Sequence, residues 1–362
     1  MIDTGPVPEH VFEQTPESLE HFTARHDLPA YLGEQLLHWV YRRGVVDPAA
    51  MTDLSARTRS LIAAHFDFEQ GRILRCQVAG DDTRKLLVAW PAASGGDALP
   101  VIDAGRQTET VLIPAGQRRT ACVSSQIGCP VGCTFCASGL GGLEGNLTRG
   151  RIVEQIHHLR QLQDAGRITN VVFMGMGEPL ANFSAVTGAI RTMNAPWGYG
   201  ISARKITVST VGLPAAIRRL ADFELPITLA LSLHAPNDEI RRSLIPWAQY
   251  AAIDELVDAC DEYFQRTGRE ITFEYLLLRR VNDRIEHARE LAGVARRLRA
   301  NVNLIRYNEV RGLPFDRPGD DDVHRFQREL RERGVNVHIR ASRGRDIAAA
   351  CGQLRHETAT RA

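Results

Sequence analysis

After residue 121, short strand-like segments alternate with segments whose apolar residues recur at helical spacing. The candidate strands are 170–174, 206–209, 227–233, 271–276, 302–306 and 336–340. Between them lie amphipathic stretches, such as the one containing Ile152, Ile156 and Leu159. Repeated strand–helix units predict a parallel sheet with right-handed crossovers. About six such units can form a partial barrel, whose functional side chains lie at the carboxyl ends of the strands.

Two regions with different patterns precede the barrel. Residues 1–75 have apolar residues at helical spacing and predict an N-terminal helical domain. Segments 85–90 and 109–114 are typical of strands, lie on either side of the Gly-rich loop 94–97, and predict a small linking sheet in 76–120. We therefore expect an α/β protein with domains at 1–75, 76–120 and 121–355, followed by a C-terminal tail at 356–362.

The composition indicates a globular protein of a reducing compartment. Of the 362 residues, 44% are hydrophobic and 24% are charged, so a sizeable core can form. We find neither a signal-peptide pattern nor an apolar run long enough to span a membrane. Seven cysteines without a secretory signal predict free thiols and a cytoplasmic location. Arginines concentrate at 279–299 and 325–345, which we interpret as solvated helix faces, with a phosphate track as the alternative.

Three cysteines, Cys129, Cys133 and Cys136, form a C-x3-C-x2-C motif. Thiolates at this spacing can ligate three irons of a 4Fe–4S cluster and leave the fourth iron open to a small molecule. A structural zinc site is the alternative, because zinc takes four ligands and Cys122 could supply the fourth thiolate. The Gly-rich stretch 139–142 gives the loop the freedom to wrap around a cofactor.

A second Gly-containing motif follows the candidate strand 170–174. Gly175 and Gly177 allow the backbone to approach a ligand, and Glu178 can accept hydrogen bonds from an ammonium group. The dinucleotide fingerprint G-x-G-x-x-G does not fit, because Leu180 occupies the third Gly position. A simple turn is the structural alternative.

Polar residues at other strand ends predict the rest of the active rim. Ser209 ends one candidate strand, Ser232 and His234 end the next, and Asn308 follows 302–306. For each of them, a buried and satisfied side chain is the alternative. A lone cysteine near the C-terminus, such as Cys351, is usually a small core residue, but the neighbouring Gly352 favours a tight turn over packing.

Together these motifs resemble those of the radical S-adenosylmethionine (SAM) adenine methyltransferases of RNA, over about residues 10 to 355. The matching segments are 122–129, 129–136, 146–148, 175–179, 232–236, 281–283 and 350–354. The resemblance implies a partial (β/α)6 barrel of radical-SAM type, with an N-terminal helical RNA-binding domain and a small linking β-sheet. It also implies that the protein is an enzyme.

The resemblance also implies the site residues. Cys129, Cys133 and Cys136 ligate a 4Fe–4S cluster, and SAM binds the open iron. The residues that match the family's SAM contacts are Gly177, Glu178, Ser209, Ser232, Leu233, His234 and Asn308. Cys351 matches the methyl-carrying cysteine and Cys122 its partner in a transient disulfide. Glu109 matches the family's proposed proton acceptor.

Such an apparatus is needed because carbons 2 and 8 of adenine are electron-poor and cannot displace a methyl group from a sulfonium. The family uses two molecules of SAM: one methylates Cys351, and the other yields a 5′-deoxyadenosyl radical that activates the methyl group. The activated carbon adds to adenine, and proton loss with disulfide formation releases the product. The resemblance implies 23S rRNA (peptidyl transferase centre) and tRNA as substrates, an electron donor such as flavodoxin, and a monomer.

Two positions depart from the family pattern. Gly145 stands where a basic residue is common, and Arg306 stands where the carbon-2 enzymes usually have Pro. The second departure leaves open methylation at carbon 8, as in the antibiotic-resistance subfamily. Glu178-Pro179 and Arg343-Gly344 follow the carbon-2 pattern, which we favour. A non-catalytic, zinc-containing RNA-binding protein and a radical enzyme for a small molecule are further alternatives.

Overall fold

The computed structural model describes residues 8–91, 106–298 and 300–354. The predicted Gly-rich loop 94–97 and the tail 356–362 therefore lie outside the described residues. The helices are α1 (Pro16–Arg25), α2 (Tyr31–Leu37), α3 (Ala56–His65), α4 (Arg149–Arg160), α5 (Phe183–Asn194), α6 (Pro214–Ala221), α7 (Asp238–Leu244), α8 (Ile253–Thr267), α9 (Ile285–Arg297) and α10 (Asp320–Glu332). No helix in these ranges is both long and apolar enough to cross a membrane.

One large sheet organises the chain. The strands are β1 (Glu9–His10), β2 (Phe66–Asp67), β3 (Arg72–Val78), β4 (Arg84–Ala89), β5 (Gln107–Ala115), β6 (Arg118–Cys122), β7 (Gln126–Gly128), β8 (Leu143–Asn146), β9 (Asn170–Phe173), β10 (Ile206–Thr210), β11 (Thr228–Ser232), β12 (Thr272–Leu277), β13 (Asn301–Arg306) and β14 (Val337–Arg340). The order in the large sheet is β14-β13-β12-β11-β10-β9-β6-β5-β4-β3. Neighbouring strands from β6 through β9 to β14 pair in parallel. Neighbouring strands from β3 to β6 pair antiparallel, so β6 joins the two kinds of pairing.

The six strands predicted after residue 121 all form, each within one residue of its predicted ends. The predicted strands 85–90 and 109–114 form β4 and β5, and they extend the parallel sheet through β6 instead of forming a separate layer. Sequence analysis did not include β6, whose five residues Arg-Arg-Thr-Ala-Cys lack a strong apolar signal. Yet β6 pairs with β9 in parallel and leads directly towards the cysteine motif.

The N-terminal segment packs against α4 through a buried polar network. Glu154, in α4, is fully buried, and its carboxylate lies 3.0 Å from His10 Nε2 and 3.2 Å from His158 Nε2. It also accepts a hydrogen bond of 2.8 Å from the backbone N–H of Gly71. Phe12 is completely buried beside His157 of the same helix, with ring centroids 5.4 Å apart. Residues from the N-terminal segment and from the barrel helix thus share one core.

The sheet curves around an internal space, which we call the lumen. This cavity has a volume of about 370 Å³ and is lined by every strand from β5 to β14 except the small β7–β8 pair. Alternate residues of a strand line it, such as Thr120 and Cys122 of β6. Because side chains alternate between the two faces of a strand, one concave face lines the lumen. The opposite face carries the helices. Ile152, Ile156 and Leu159 of α4 are fully buried against it, as their helical spacing predicts.

Candidate active site

A second cavity, of about 140 Å³, lies at the carboxyl ends of the parallel strands; we call it the rim cavity. Most of the residues predicted for the site line it. They are Cys129, Cys133, Cys136, Gly177, Glu178, Ser209, Ser232, His234 and Cys351. The parallel register of the sheet therefore brings residues from distant segments to one place.

Leu233 and Asn308 do not line the rim cavity. Leu233 is fully buried in the main core, so only its backbone could face a ligand. Asn308 lines the lumen, and its Nδ2 donates a 3.3 Å hydrogen bond to the carbonyl oxygen of Cys351. Its buried Oδ1 has no hydrogen-bond partner among the described residues. Asn308 thus holds the C-terminal cysteine segment from the lumen side.

The cysteine loop starts from the hairpin β7–β8. Gly128 has a φ of +73°, and a side chain there would overlap the carbonyl oxygen of Gly142. The next residue, Cys129, donates its backbone N–H to the same carbonyl at 2.9 Å. The ring of Phe135 packs edge-on against His234, with centroids 5.2 Å apart. The loop is therefore positioned from both of its ends.

Burial dominates the chemistry of the three thiols. It raises the pKa of Cys129 to about 12, and burial together with the neighbouring thiols raises the pKa of Cys133 well above its ordinary value. Burial also raises the pKa of Cys136. Thiolates therefore require positive charge at this place, which bound metal provides. The donor set fits an iron–sulfur cluster.

A mononuclear zinc site does not fit this arrangement. Cys122, the fourth ligand of the zinc alternative, lines the lumen and not the rim cavity. A structural zinc ion needs four ligands converging on one point.

Glu178 presents a fixed carboxylate to the rim cavity. Its Oε1 accepts the backbone N–H of Leu180 at 3.0 Å, and its Oε2 accepts that of Val211 at 2.9 Å. The residue is 2% exposed, and burial raises its pKa. Gly177, with a φ of +102°, brings the backbone past Gln126, whose Oε1 accepts the Glu178 N–H at 2.7 Å. The two oxygens keep lone pairs for a cationic ligand.

Neutral polar groups complete the rim. The hydroxyls of Ser209 and Ser232 lie 3.1 Å apart, across β10 and β11. His234 has a φ of +56°, and its Nδ1 accepts the backbone N–H of Leu276 at 3.1 Å. Burial lowers the pKa of His234 to about 3, so the imidazole is neutral and carries its proton on Nε2. It can therefore donate a hydrogen bond through Nε2.

Cys122 and Cys351 meet at the lumen although they are far apart in sequence. Both line the lumen, and Cys351 lines the rim cavity as well. The segment around Cys351 is held by hydrogen bonds from Ala137 N to Gly352 O (2.8 Å) and from Ser138 Oγ to Leu354 O (2.7 Å). Both thiols are free, so the structure does not support the predicted disulfide bond. Cys351 is partly exposed and stands between the two cavities, so it is not a packed core residue.

Glu109 lies in β5 beside a residue that sequence analysis missed. Lys85 Nζ is 2.7 Å from Glu109 Oε1, and both side chains are 5% exposed. The same ammonium donates a 3.1 Å hydrogen bond to the carbonyl oxygen of Ala348, three residues before Cys351. Lys85 is one of two lysines in the chain and follows Arg84 at the start of an apolar strand. A lysine at the start of an apolar strand is the sequence feature that could have indicated a buried charge here.

Arg340, at the end of β14, was also missed and lines both cavities. Its Nη1 lies 3.3 Å from Met174 Sδ and 3.5 Å from Glu274 Oε2. The negative charge available at Cys351, together with Glu274, raises the pKa of Arg340. The guanidinium is thus a permanent positive charge near both lumen thiols.

Two parts of the chain match known families. Residues 123–292 match the Radical SAM superfamily, and residues 10–67 match the ribosomal RNA large subunit methyltransferase N-terminal domain. A probable dual-specificity RNA methyltransferase RlmN from Gloeobacter violaceus is 43% identical, over 95% of this chain and 94% of its own. One from Rhodopirellula baltica is 41% identical, over 97% and 92%. This chain belongs to the RlmN family of radical SAM RNA methyltransferases.

A solved structure supports the RlmN-family fold. The crystal structure of a radical SAM methyltransferase from Sphaerobacter thermophilus is 42% identical and superposes with a TM-score of 0.90, over 97% of this chain and 100% of its own. The predicted radical SAM fold, family and enzyme class are therefore confirmed. Membership of the RlmN family implies a 4Fe–4S cluster and SAM as cofactors, and RNA as substrate.

Proposed function

We propose that this enzyme methylates carbon 2 of adenosine in 23S rRNA and in tRNA, with Cys351 as the methyl carrier. The position of Cys351 between the two cavities supports this proposal most strongly. A thiol at this junction can take a methyl group from the cofactor on one side and pass it to a base on the other. A transient bond between Cys351 and the RNA would follow from that geometry.

The rim cavity would hold the cofactors. Cys129, Cys133 and Cys136 would ligate the cluster, and the carboxylate of Glu178 would bind the ammonium group of SAM. The Nε2–H of His234, with the nearby serine hydroxyls, would orient the rest of the molecule. When bound, the cluster and two molecules of SAM per turnover supply the methyl group and the one-electron chemistry that direct displacement lacks.

The two lumen thiols would act at different times. Methylation needs a thiolate, and Arg340 and Cys351 line the same two cavities. Burial instead raises the pKa of Cys122 to about 12, so this thiol stays protonated and does not compete for the methyl group at neutral pH. Cys122 is then available for the later step in which the product leaves Cys351.

Glu109 would receive the proton lost from the adenine ring. The ammonium of Lys85 lies 2.7 Å from this carboxylate and forms an ion pair with it. Lys85 also holds Ala348, so the same side chain positions both the proton acceptor and the segment that ends in Cys351. We further propose that the enzyme works as a cytoplasmic monomer with an electron donor of flavodoxin type.

Arg306 bears on the alternative of methylation at carbon 8. Its Nη1 lies 2.6 Å from Asp320 Oδ1, at the start of α10, and the residue lines neither cavity. The preceding residue, Ile305, does line the lumen. The departure from the family pattern at Arg306 therefore does not alter the lining of either cavity, which supports carbon 2.

Mass spectrometry of nucleosides from treated rRNA and tRNA tests the proposal. The reconstituted enzyme should contain about four irons per chain and should produce 2-methyladenosine. Cys351→Ala should produce none while it still cleaves SAM. Cys76→Ala, which changes the exposed cysteine of β3, is the matched control and should keep full activity. Methylated product from Cys351→Ala would exclude the carrier role, and 8-methyladenosine from the wild type would exclude carbon 2.

A further inference from the structure

The path of the RNA is set by the arrangement of the two cavities. The rim cavity lies at the carboxyl ends of the strands and contains the residues proposed to bind the cofactors. The lumen extends from Cys351 to the opposite ends of the strands, where Arg118, Thr207 and Thr228 line it. A base that reaches Cys351 without displacing the cofactors must therefore come through the lumen.

The exposure of the lumen residues indicates which end opens to solvent. Thr207 and Thr228, near the amino ends of β10 and β11, are partly exposed, and Arg118 at the start of β6 is exposed. Cys122 and Glu274, farther along their strands, are buried. The lumen is thus accessible to solvent at the amino-terminal edge of the sheet.

Basic side chains concentrate at this edge. Arg118 starts β6, Arg167 precedes β9, and Arg204 and Lys205 precede β10. All four residues are exposed, and none of their side chains makes a hydrogen bond or an ion pair with another described residue. The predicted arginine-rich helix faces differ, because there Arg289 is 2.8 Å from the carboxylate of Glu329.

A third cavity, of about 500 Å³, joins this edge to the N-terminal helices. Arg42, Arg160 and Arg167 line it together with Tyr41. Arg42 and Arg160 donate to the backbone carbonyls of Pro196 and Tyr41, so their positive charges remain uncompensated. The hydroxyl of Tyr41, in a side chain that is 1% exposed, has no hydrogen-bond partner among the described residues. Cationic groups beside a free hydroxyl donor fit a phosphate group.

Acidic residues at the amino ends of the strands mark where the basic surface ends. Asp222 and Glu224 precede β11 and pair with Arg266 and Arg191, and Glu270 precedes β12. On the half formed by β6, β9 and β10, Asp164 accompanies the basic residues. A polyanion is therefore attracted towards the half that borders the N-terminal helices, where exposed basic residues concentrate.

We propose that the RNA docks on the basic edge, which consists of Arg118, Arg167, Arg204 and Lys205 with Arg42 and Arg160, and that the target adenine enters the lumen from there. This inference rests on the proposed function. The RNA and the cofactors then reach Cys351 from opposite ends of the barrel. An acidic electron-donor protein is not expected on this edge, because it has to approach the cluster at the carboxyl ends.

RNA binding by charge-neutralised variants tests the docking surface. The probe is a labelled RNA hairpin with adenosines in its loop, titrated by fluorescence anisotropy at several salt concentrations. The slope of log K against log salt is negative for RNA binding. If Arg118, Arg167, Arg204 and Lys205 each contact one phosphate, the magnitude of this slope should decrease by about 3 when all four are changed to Gln. Each single variant should lower the magnitude of the slope by about 0.7 to 0.9.

Two controls distinguish the ends of the barrel. Arg242→Gln, in α7 near the carboxyl ends, and Arg328→Gln, on the exposed face of α10, should keep the wild-type slope. Loss of slope in Arg242→Gln with none in the fourfold variant would place the RNA at the cofactor end and overturn the inference. Slower cluster reduction by an acidic donor, with unchanged RNA binding in the fourfold variant, would assign the edge to the donor instead.

The outcome also separates this inference from the proposed function. If the fourfold variant binds RNA with the wild-type slope while the wild type makes methyladenosine, the docking surface is wrong and the function stands. If the wild type methylates no RNA, the proposed function itself is wrong, and the docking inference falls with it.

Discussion

Replacement of Glu178 by Gln tests how the rim cavity binds SAM. Both carboxylate oxygens already accept backbone N–H groups, from Leu180 at 3.0 Å and Val211 at 2.9 Å. A Gln amide has only one oxygen, so in either orientation its NH₂ faces one of these two donors. The change therefore leaves a buried N–H without an acceptor and removes the negative charge proposed to bind the ammonium of SAM.

An unsatisfied buried donor costs about 1–3 kcal/mol, which should appear as a lower free energy of unfolding. Loss of a hydrogen bond to a charged group, worth about 1.5–3 kcal/mol, corresponds to about 10- to 150-fold weaker SAM binding. Urea titration measures the first quantity, and equilibrium dialysis of SAM with the anaerobically reconstituted enzyme measures the second.

The matched control is Glu255→Gln, the same chemical change at an exposed position of α8. It should alter neither quantity. SAM affinity of Glu178→Gln within about threefold of the wild type, below the expected range, would refute the assignment of Glu178 to the ammonium group. A stability loss without an affinity loss would show that Glu178 only orders the turn.

Two further predictions concern the cysteine loop and the domain contact. Gly128→Ala should lower the iron content of the reconstituted enzyme, because its new methyl group would overlap the carbonyl of Gly142. The control is Gly141→Ala, which has open space around it and should keep the wild-type iron content. Equal iron content in the two variants would show that the loop tolerates the added methyl group. Burial lowers the pKa of His157 to about 4 from its ordinary 6.5. Its neutral form is therefore favoured by folding, and the free energy of unfolding is highest above pH 6.5. We expect the free energy of unfolding to fall by up to about 3.4 kcal/mol between pH 6.5 and 4. His157→Leu should reduce this pH dependence when the free energy of unfolding of the apoprotein is measured by urea titration. An unchanged pH dependence in the variant would contradict the role of His157.

The strands of the barrel were predictable because each is a short apolar segment between turn signals. β6 was missed for the converse reason: two of its five residues are arginines, and its position is fixed by pairing with β5 and β9 and not by its own composition. The arginine that starts β6 is nevertheless informative, because Arg118 lies at the open end of the lumen.

Within the site, local motifs predicted the rim residues but not their partners. The cysteine triad and Glu178 lie in distinctive short motifs, so their place in one cavity could be expected. Lys85 and Arg340 belong to no motif. Each became visible only when strand pairing and the C-terminal segment placed it beside Glu109 or near Cys351.

The sequence alone determined the strand–helix pattern, the cysteine spacing and the Gly turns, because these depend on neighbouring residues and on backbone sterics. Tertiary structure alone decided that Cys351 stands between two cavities and that the lumen opens towards the basic edge. Both depend on the curvature of the sheet and on contacts between residues far apart in the chain. Such contacts result from the packing of the whole sheet, and no local periodicity records them.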